Sequence, residues 1–319
     1  MRLGGRIGRA LALALVVAGT VARADTDLPT KFSNQGSVAN TRHNLSQRQN
    51  SGGGPTGALM DPYRNDYMEV CVYCHTPHAA NTGVALPLWN RTLRATSYTT
   101  YDMLGTSTLT EPVTQPGPNS LACLSCHDGQ TAVDSVINMP TRPNQVALLA
   151  AYPGGYLASQ ATTQNNTFLN AWNNERGPDA SVHLGLNPTE ALGCLACHSS
   201  NAGLVGAGAA DFRAGVIGTD LRNDHPVGVR YPVTFGPAVD FNPTTATKPS
   251  MRWFDGNGNG RPDTREVRLY DSGDGYEVEC ASCHDPHGVP AGAAGSTFLP
   301  TFLRVANTGS ALCLTCHIK

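Results

Sequence analysis

No cysteine stands alone in this sequence. All ten fall into five copies of one phrase, Cys-x-x-Cys-His, at Cys71–His75, Cys123–His127, Cys194–His198, Cys280–His284 and Cys313–His317. Charge is scarce, at 14% of residues, and 34 glycines with 22 prolines leave little room for long regular elements. Past residue 21 there is no apolar run long enough to span a bilayer, so no membrane anchor is expected. The early arginines are not adjacent, which argues against a twin-arginine signal. No cysteine follows Ala24 directly, which argues against a lipid anchor.

The first residues carry Arg2, Arg6 and Arg9, then an apolar run from Ala10 to Val21, then Ala22-Arg23-Ala24. That is the pattern of a cleaved signal peptide over 1–24, with an exported mature chain beginning at Asp25. Loss of the four arginines before Asp25 takes the net charge from −2 to −6. An acidic chain of this kind is a poor partner for nucleic acid or an anionic membrane surface.

Cys-x-x-Cys-His is the attachment signature of a c-type haem. The spacing lets two thiols reach the two vinyl groups of one porphyrin, while the following imidazole reaches the iron. The covalent positions are then Cys71, Cys74, Cys123, Cys126, Cys194, Cys197, Cys280, Cys283, Cys313 and Cys316. The proximal iron ligands are His75, His127, His198, His284 and His317. Structural zinc would need the pairs to combine into four-ligand sites, and five pairs do not divide into four-cysteine sites. Disulfides would suit an exported chain, but closure across two residues is strained and leaves the histidines without a purpose. Five covalent haem c groups are the expectation.

Five histidines remain for those five irons: His43, His78, His183, His225 and His287. The equality of number suggests bis-histidine ligation throughout, with these five as distal ligands. Methionine is the rival axial ligand, and Met60, Met68, Met103, Met139 and Met251 keep it open. His78 and His287 each follow a motif histidine by three residues, so at most about 11 Å of chain separates them from it. That is too short to pass around a porphyrin rim, so each should serve a neighbouring haem and hold two porphyrins close together. The last motif ends two residues before Lys319, and His43 stands near the other end. That layout allows a ligand shared between subunits joined head to tail.

The expected fold class is mostly irregular coil with short helices and few short strands, folded around a haem-stack core. Residues 25–319 form a single domain in this reading. The motifs at Cys123, Cys194 and Cys313 share a leucine after the first cysteine, and each follows plausible cap residues: Asn119 or Ser120, Asn187 before Pro188, and Asn307 or Thr308. Short helices are expected there. The run 51–55 reads as a flexible loop and 140–180 as a surface excursion, while Val227–Phe235 and Glu266–Asp271 are the best strand candidates.

Residues 255–266 fit the calcium-loop pattern D-x-[DN]-x-[DN]-G-x5-E. Side-chain oxygens of Asp255, Asn257, Asn259, Asp263 and Glu266, with the carbonyl of Arg261, would suit one calcium ion. Pro262 departs from the usual apolar residue and helical flanks are not evident, so the expectation is an EF-hand-like loop without the full hand.

The contexts Cys71–His78, Asn223–Gly228 and Cys280–Gly288, with Arg42-His43-Asn44-Leu45-Ser46, resemble the paired-CxxCH multihaem cytochromes of metal-reducing bacteria. That group includes outer-surface cytochromes that form haem filaments. The resemblance implies extracellular electron transfer to metal oxides, electrodes or partner cells, with self-association into filaments. A soluble periplasmic shuttle is the alternative. A pentahaem reductase is a weaker one, because every motif keeps its histidine and a distal candidate exists for each haem. No enzymatic activity is therefore expected.

Overall fold

The computed structural model describes residues 38–45, 67, 69–138, 184–187, 193–200, 211–237, 239–291 and 298–318. The signal-peptide expectation over 1–24, the loops at 51–55 and 140–180, His183, Met60, Met68 and Met139 lie outside them.

Helix α1 spans Pro118–His127, with proline in its first turn where a missing N–H costs nothing. Gly117, and not Asn119 or Ser120, stands at its N-cap. The cap acceptor comes from far along the chain, because Glu279 Oε1 takes the Gly117 N–H at 2.9 Å. A side chain at 117 would collide with Ser272 and Glu279. Helix α2 is one turn, Cys280–Cys283, closed by a capping box between Glu279 and Ser282. Helix α3, Ala311–Cys316, follows a 3-10 turn at Thr308–Ser310. At the third motif the expected helix is a 3-10 turn, Gly193–Ala196.

Five short strands form one antiparallel sheet: β1 (Val229–Arg230), β2 (Ala246–Lys248), β3 (Met251–Trp253), β4 (Arg268–Asp271) and β5 (Tyr276–Val278). Their spatial order is β1-β5-β4-β3-β2. Val229 pairs with Val278, Tyr270 with Glu277, Met251 with Tyr270 and Ala246 with Trp253. The 227–235 candidate thus contracts to two residues and the 266–271 candidate to four. The 255–266 loop joins β3 to β4, so it closes a hairpin where an EF-hand would join two helices. β5 runs directly into α2, and α2 packs against α1. That contact brings the second and fourth motifs together.

Hydrophobic clusters among the described residues are small. One holds Tyr67, Val72, Tyr73 and Val136, and another Tyr98, Leu124 and Leu221. Polar anchors do much of the remaining work. Arg91, 1% exposed, donates to Ser125 Oγ and to the carbonyls of Ser125, Ala132 and Val133. Asn90 donates to the Val72 carbonyl at 2.7 Å. Together these bonds fix the segment after the first motif to α1 and its exit. The Arg91 guanidinium and the Asn90 amide each find acceptors, which is what makes their burial tolerable.

Candidate haem-binding centre

None of the ten cysteines is in a disulfide. Among the described residues no group of three or more His, Cys, Asp or Glu is arranged to hold a metal ion. What the fold assembles is imidazole pairs.

His75 faces His287 with ring centroids 6.3 Å apart and planes 5° from parallel. His127 faces His43 at 6.1 Å and 69°, and His317 faces His225 at 6.4 Å and 63°. Two imidazoles on opposite sides of one metal put their centroids roughly 6 Å apart, since each metal–nitrogen bond is about 2 Å and each ring centre sits about 1 Å further out. Three of the five motif histidines therefore have a second imidazole at the spacing a shared iron requires. In each pair the second ring comes from the expected distal set, and each pair lies within one chain.

In six of the rings the second nitrogen is also engaged, as it is in metal-bound histidines. His43 Nδ1 bonds the Pro286 carbonyl at 3.0 Å, His75 Nδ1 that of Pro87 at 2.7 Å, and His127 Nδ1 that of Gly215. His225 Nδ1 bonds the Pro226 carbonyl at 2.9 Å and His284 Nδ1 the Thr301 carbonyl at 2.6 Å. His287 Nδ1 bonds Asp285 Oδ1 at 3.0 Å. A carbonyl or carboxylate can only accept, so Nδ1 carries the proton in all six and Nε2 keeps its lone pair for a metal. Burial lowers the pKa of His43 to about 4, reinforced by His127 beside it, and burial lowers those of His127 and His284. The neutral, ligating form is thereby favoured. The Nε1–H of Trp89, buried and edge-on to His75, has no partner among the described residues and suits a haem carboxylate. The residues present fit c-type haem.

One tetrapeptide joins three of these centres. His284 is the fourth motif's proximal residue, the Pro286 carbonyl orients His43 toward His127, and His287 faces His75. Three residues of chain span at most about 11 Å, so the first, second and fourth motifs converge on His284–His287. His43 also stacks on Phe302 at 4.4 Å.

The other candidates are placed differently. His78 is exposed, and among the described residues no ring faces it. No second imidazole among those residues faces His284. His198 stacks on Phe212 at 3.9 Å, and its motif is tied to α1's exit through Val133 N–H to the Leu184 carbonyl. Met103 is 61% exposed and Met251 lies in β3.

The 255–266 loop is closed by its own side chains. Asp255 accepts the N–H groups of Gly258, Asn259 and Gly260, Asn257 that of Asn259, and Asn259 that of Arg261. Glu266 accepts those of Gly256 and Asp263. Gly258 and Gly260 take positive φ at the bends. The oxygens are of the kind calcium takes; here they also accept backbone N–H groups, and Asp263 accepts from the Asn257 and Asn259 amides.

Sequence reasoning did not find Arg304. Its Nη1 lies 3.0 Å from Asp285 Oδ2, with both side chains buried. Asp285 directly follows a motif histidine, and that was the available signal. Burial would raise the Asp285 pKa, but the His287 ring and Arg304 outweigh it and bring it down to about 2.

No curated protein matches the chain. Residues 275–319 match the family of the doubled CXXCH motif, a cytochrome c haem-binding signature, and this end of the protein is a segment that binds c-type haem covalently.

Proposed function

We propose that this protein is a five-haem c-type cytochrome that carries electrons outside the cytoplasm through closely spaced bis-histidine haems. The observation that carries the reading is the set of three imidazole pairs at 6.1–6.4 Å, each made of one motif histidine and one spare histidine. Covalent haem would supply the redox centre. The chain's own part is to hold two imidazoles per iron and keep neighbouring haems close. The small side-chain clusters agree with porphyrins filling a haem-stack core within a single 25–319 domain. Bis-histidine ligation leaves no open iron position, so the role is electron transfer and not enzymatic turnover.

Export by the 1–24 signal and an acidic mature surface support an extracellular or outer-surface address, with redox proteins or extracellular acceptors as partners. Self-association into filaments is part of the proposal. His43 faces His127 of its own chain, so the imidazole offered to a second copy is the exposed His78. Negative-stain microscopy of the haem-loaded protein tests this directly. Filaments lost in His78→Ala support it, and monodisperse particles at every concentration favour the periplasmic shuttle. A structural calcium ion at 255–266 rests on the loop's oxygen pattern alone. Chelator should lower the melting temperature, and an unchanged melting curve removes calcium from the account.

A further inference from the structure

Histidine ligands are tuned through the nitrogen that does not bind metal. Five histidines here direct Nδ1 to a backbone carbonyl: His43, His75, His127, His225 and His284. His287 differs. Its Nδ1–H donates to the carboxylate of Asp285 at 3.0 Å, and its backbone N–H reaches the same oxygen at 3.1 Å.

That carboxylate is not a surface acceptor. Asp285 is 5% exposed, its N–H is held by the Phe302 carbonyl at 2.9 Å, and its other oxygen meets Arg304 at 3.0 Å. Arg304 is 3% exposed and is fixed in turn, with Nε on the Ala281 carbonyl and Nη1 on that of Thr264, each at 3.0 Å. The carboxylate is thus anchored to α2 on one side and to the end of the 255–266 loop on the other. The ring it holds lies within 5° of parallel to His75, whereas the other two pairs are crossed at 63° and 69°.

We infer that Asp285, braced by Arg304, is the positioning residue of the haem shared by His75 and His287, and that it holds this haem at a lower potential than a carbonyl-held distal histidine would. The inference rests on the proposed ligation of that iron by both rings. A charged acceptor draws the Nδ1 proton more strongly than a neutral carbonyl, which raises electron density on Nε2 and favours ferric over ferrous iron. Arg304 limits that effect by sharing the charge of Asp285. The two residues therefore act on the potential with opposite signs.

The test uses the full haem-loaded protein and three variants, read by potentiometric titration and by electron paramagnetic resonance. His287→Ala should convert one low-spin haem to five-coordinate high-spin. An unchanged spin count would sink the shared-iron reading itself. With that reading intact, Asp285→Asn should keep five low-spin haems while one midpoint moves upward, and the near-parallel signal should broaden as the ring loses its lock. Arg304→Gln should move the same midpoint downward. If Asp285→Asn fails to load haem, the downward shift in Arg304→Gln decides the matter. Unchanged midpoints in a correctly loaded Asp285→Asn or Arg304→Gln would overturn the role assigned to Asp285, because a purely structural brace would alter stability and leave the potential in place.

Discussion

Two octapeptides in this chain are almost the same in outline and differ in fate. Cys71-Val72-Tyr73-Cys74-His75-Thr76-Pro77-His78 and Cys280-Ala281-Ser282-Cys283-His284-Asp285-Pro286-His287 each carry a haem signature and a second histidine three residues on. In the first, the Thr76 hydroxyl donates to the carbonyl of His78, and the ring stands exposed. In the second, Asp285 takes the ring proton of His287 and presents that ring to His75. Both rings are exposed, and one residue, with a distant arginine to brace it, separates a ring aimed at a neighbouring motif from one that no described ring faces. The position that follows diverges too. Gly288 takes φ +90, where a Cβ would meet Phe298 at 2.6 Å and Thr41 at 2.9 Å, while Ala79 bears a side chain at φ +54.

The largest expected effect comes from removing each second histidine. His287→Ala should cost one bis-histidine haem, seen as a high-spin band in resonance Raman spectra. His78→Ala should leave the His75, His127 and His317 centres low-spin, and should cost self-association together with the one low-spin haem that His78 serves in a second copy. Next is Arg304→Ala, which strands a buried carboxylate. Breaking such a pair costs about 3–5 kcal/mol, readable as a lowered urea midpoint followed at the Soret band. A loss below about 1 kcal/mol would show that Arg304 is not the brace.

The glycine and alanine that follow should respond in opposite directions. Gly288→Ala combines a disfavoured φ with overpacking and should cost about 2–4 kcal/mol. Ala79→Gly relieves a left-handed residue and should gain up to about 1 kcal/mol. Matching changes of the same sign would break the contrast.

The smallest effect concerns the residue before each first cysteine, Val70 ahead of one octapeptide and Glu279 ahead of the other. Burial raises the Glu279 pKa above its ordinary value of 4.5, and Glu277 nearby adds to it. The folded state then holds this proton more tightly than the unfolded chain. Its contribution to stability is fully present below pH 4.5 and is lost as pH rises through the folded value. Glu279→Gln should flatten the stability difference between pH 4.5 and pH 7, and an equally steep profile in the variant would contradict this.

Much of the local chemistry could be read directly from the sequence. The five signatures, the helical turns at Cys123 and Cys313, the strand ending at Asp271 and the presence of a tight loop at 255–266 all rest on short-range patterns. The pairing of rings could not be read, because His43 meets His127 and His225 meets His317 across chain separations that no local pattern encodes. β2 and β3 escaped notice because they are three residues each around Pro249 and are strands chiefly through register, β2 with β3 and β3 with β4. The Gly117 cap was hidden for the same reason, since its acceptor, Glu279, belongs to a different motif. Arg304 sits in a run with no charge pattern, and its meaning appears only when the chain brings it to Asp285.

The account stands on the number of haems and on two imidazoles per iron. Haem content by pyridine haemochrome, combined with near-infrared magnetic circular dichroism of the oxidised protein, tests both at once. The account predicts five haems per chain and only the charge-transfer band of bis-histidine ligation. Fewer than five haems, or a histidine–methionine band of comparable strength, would contradict it.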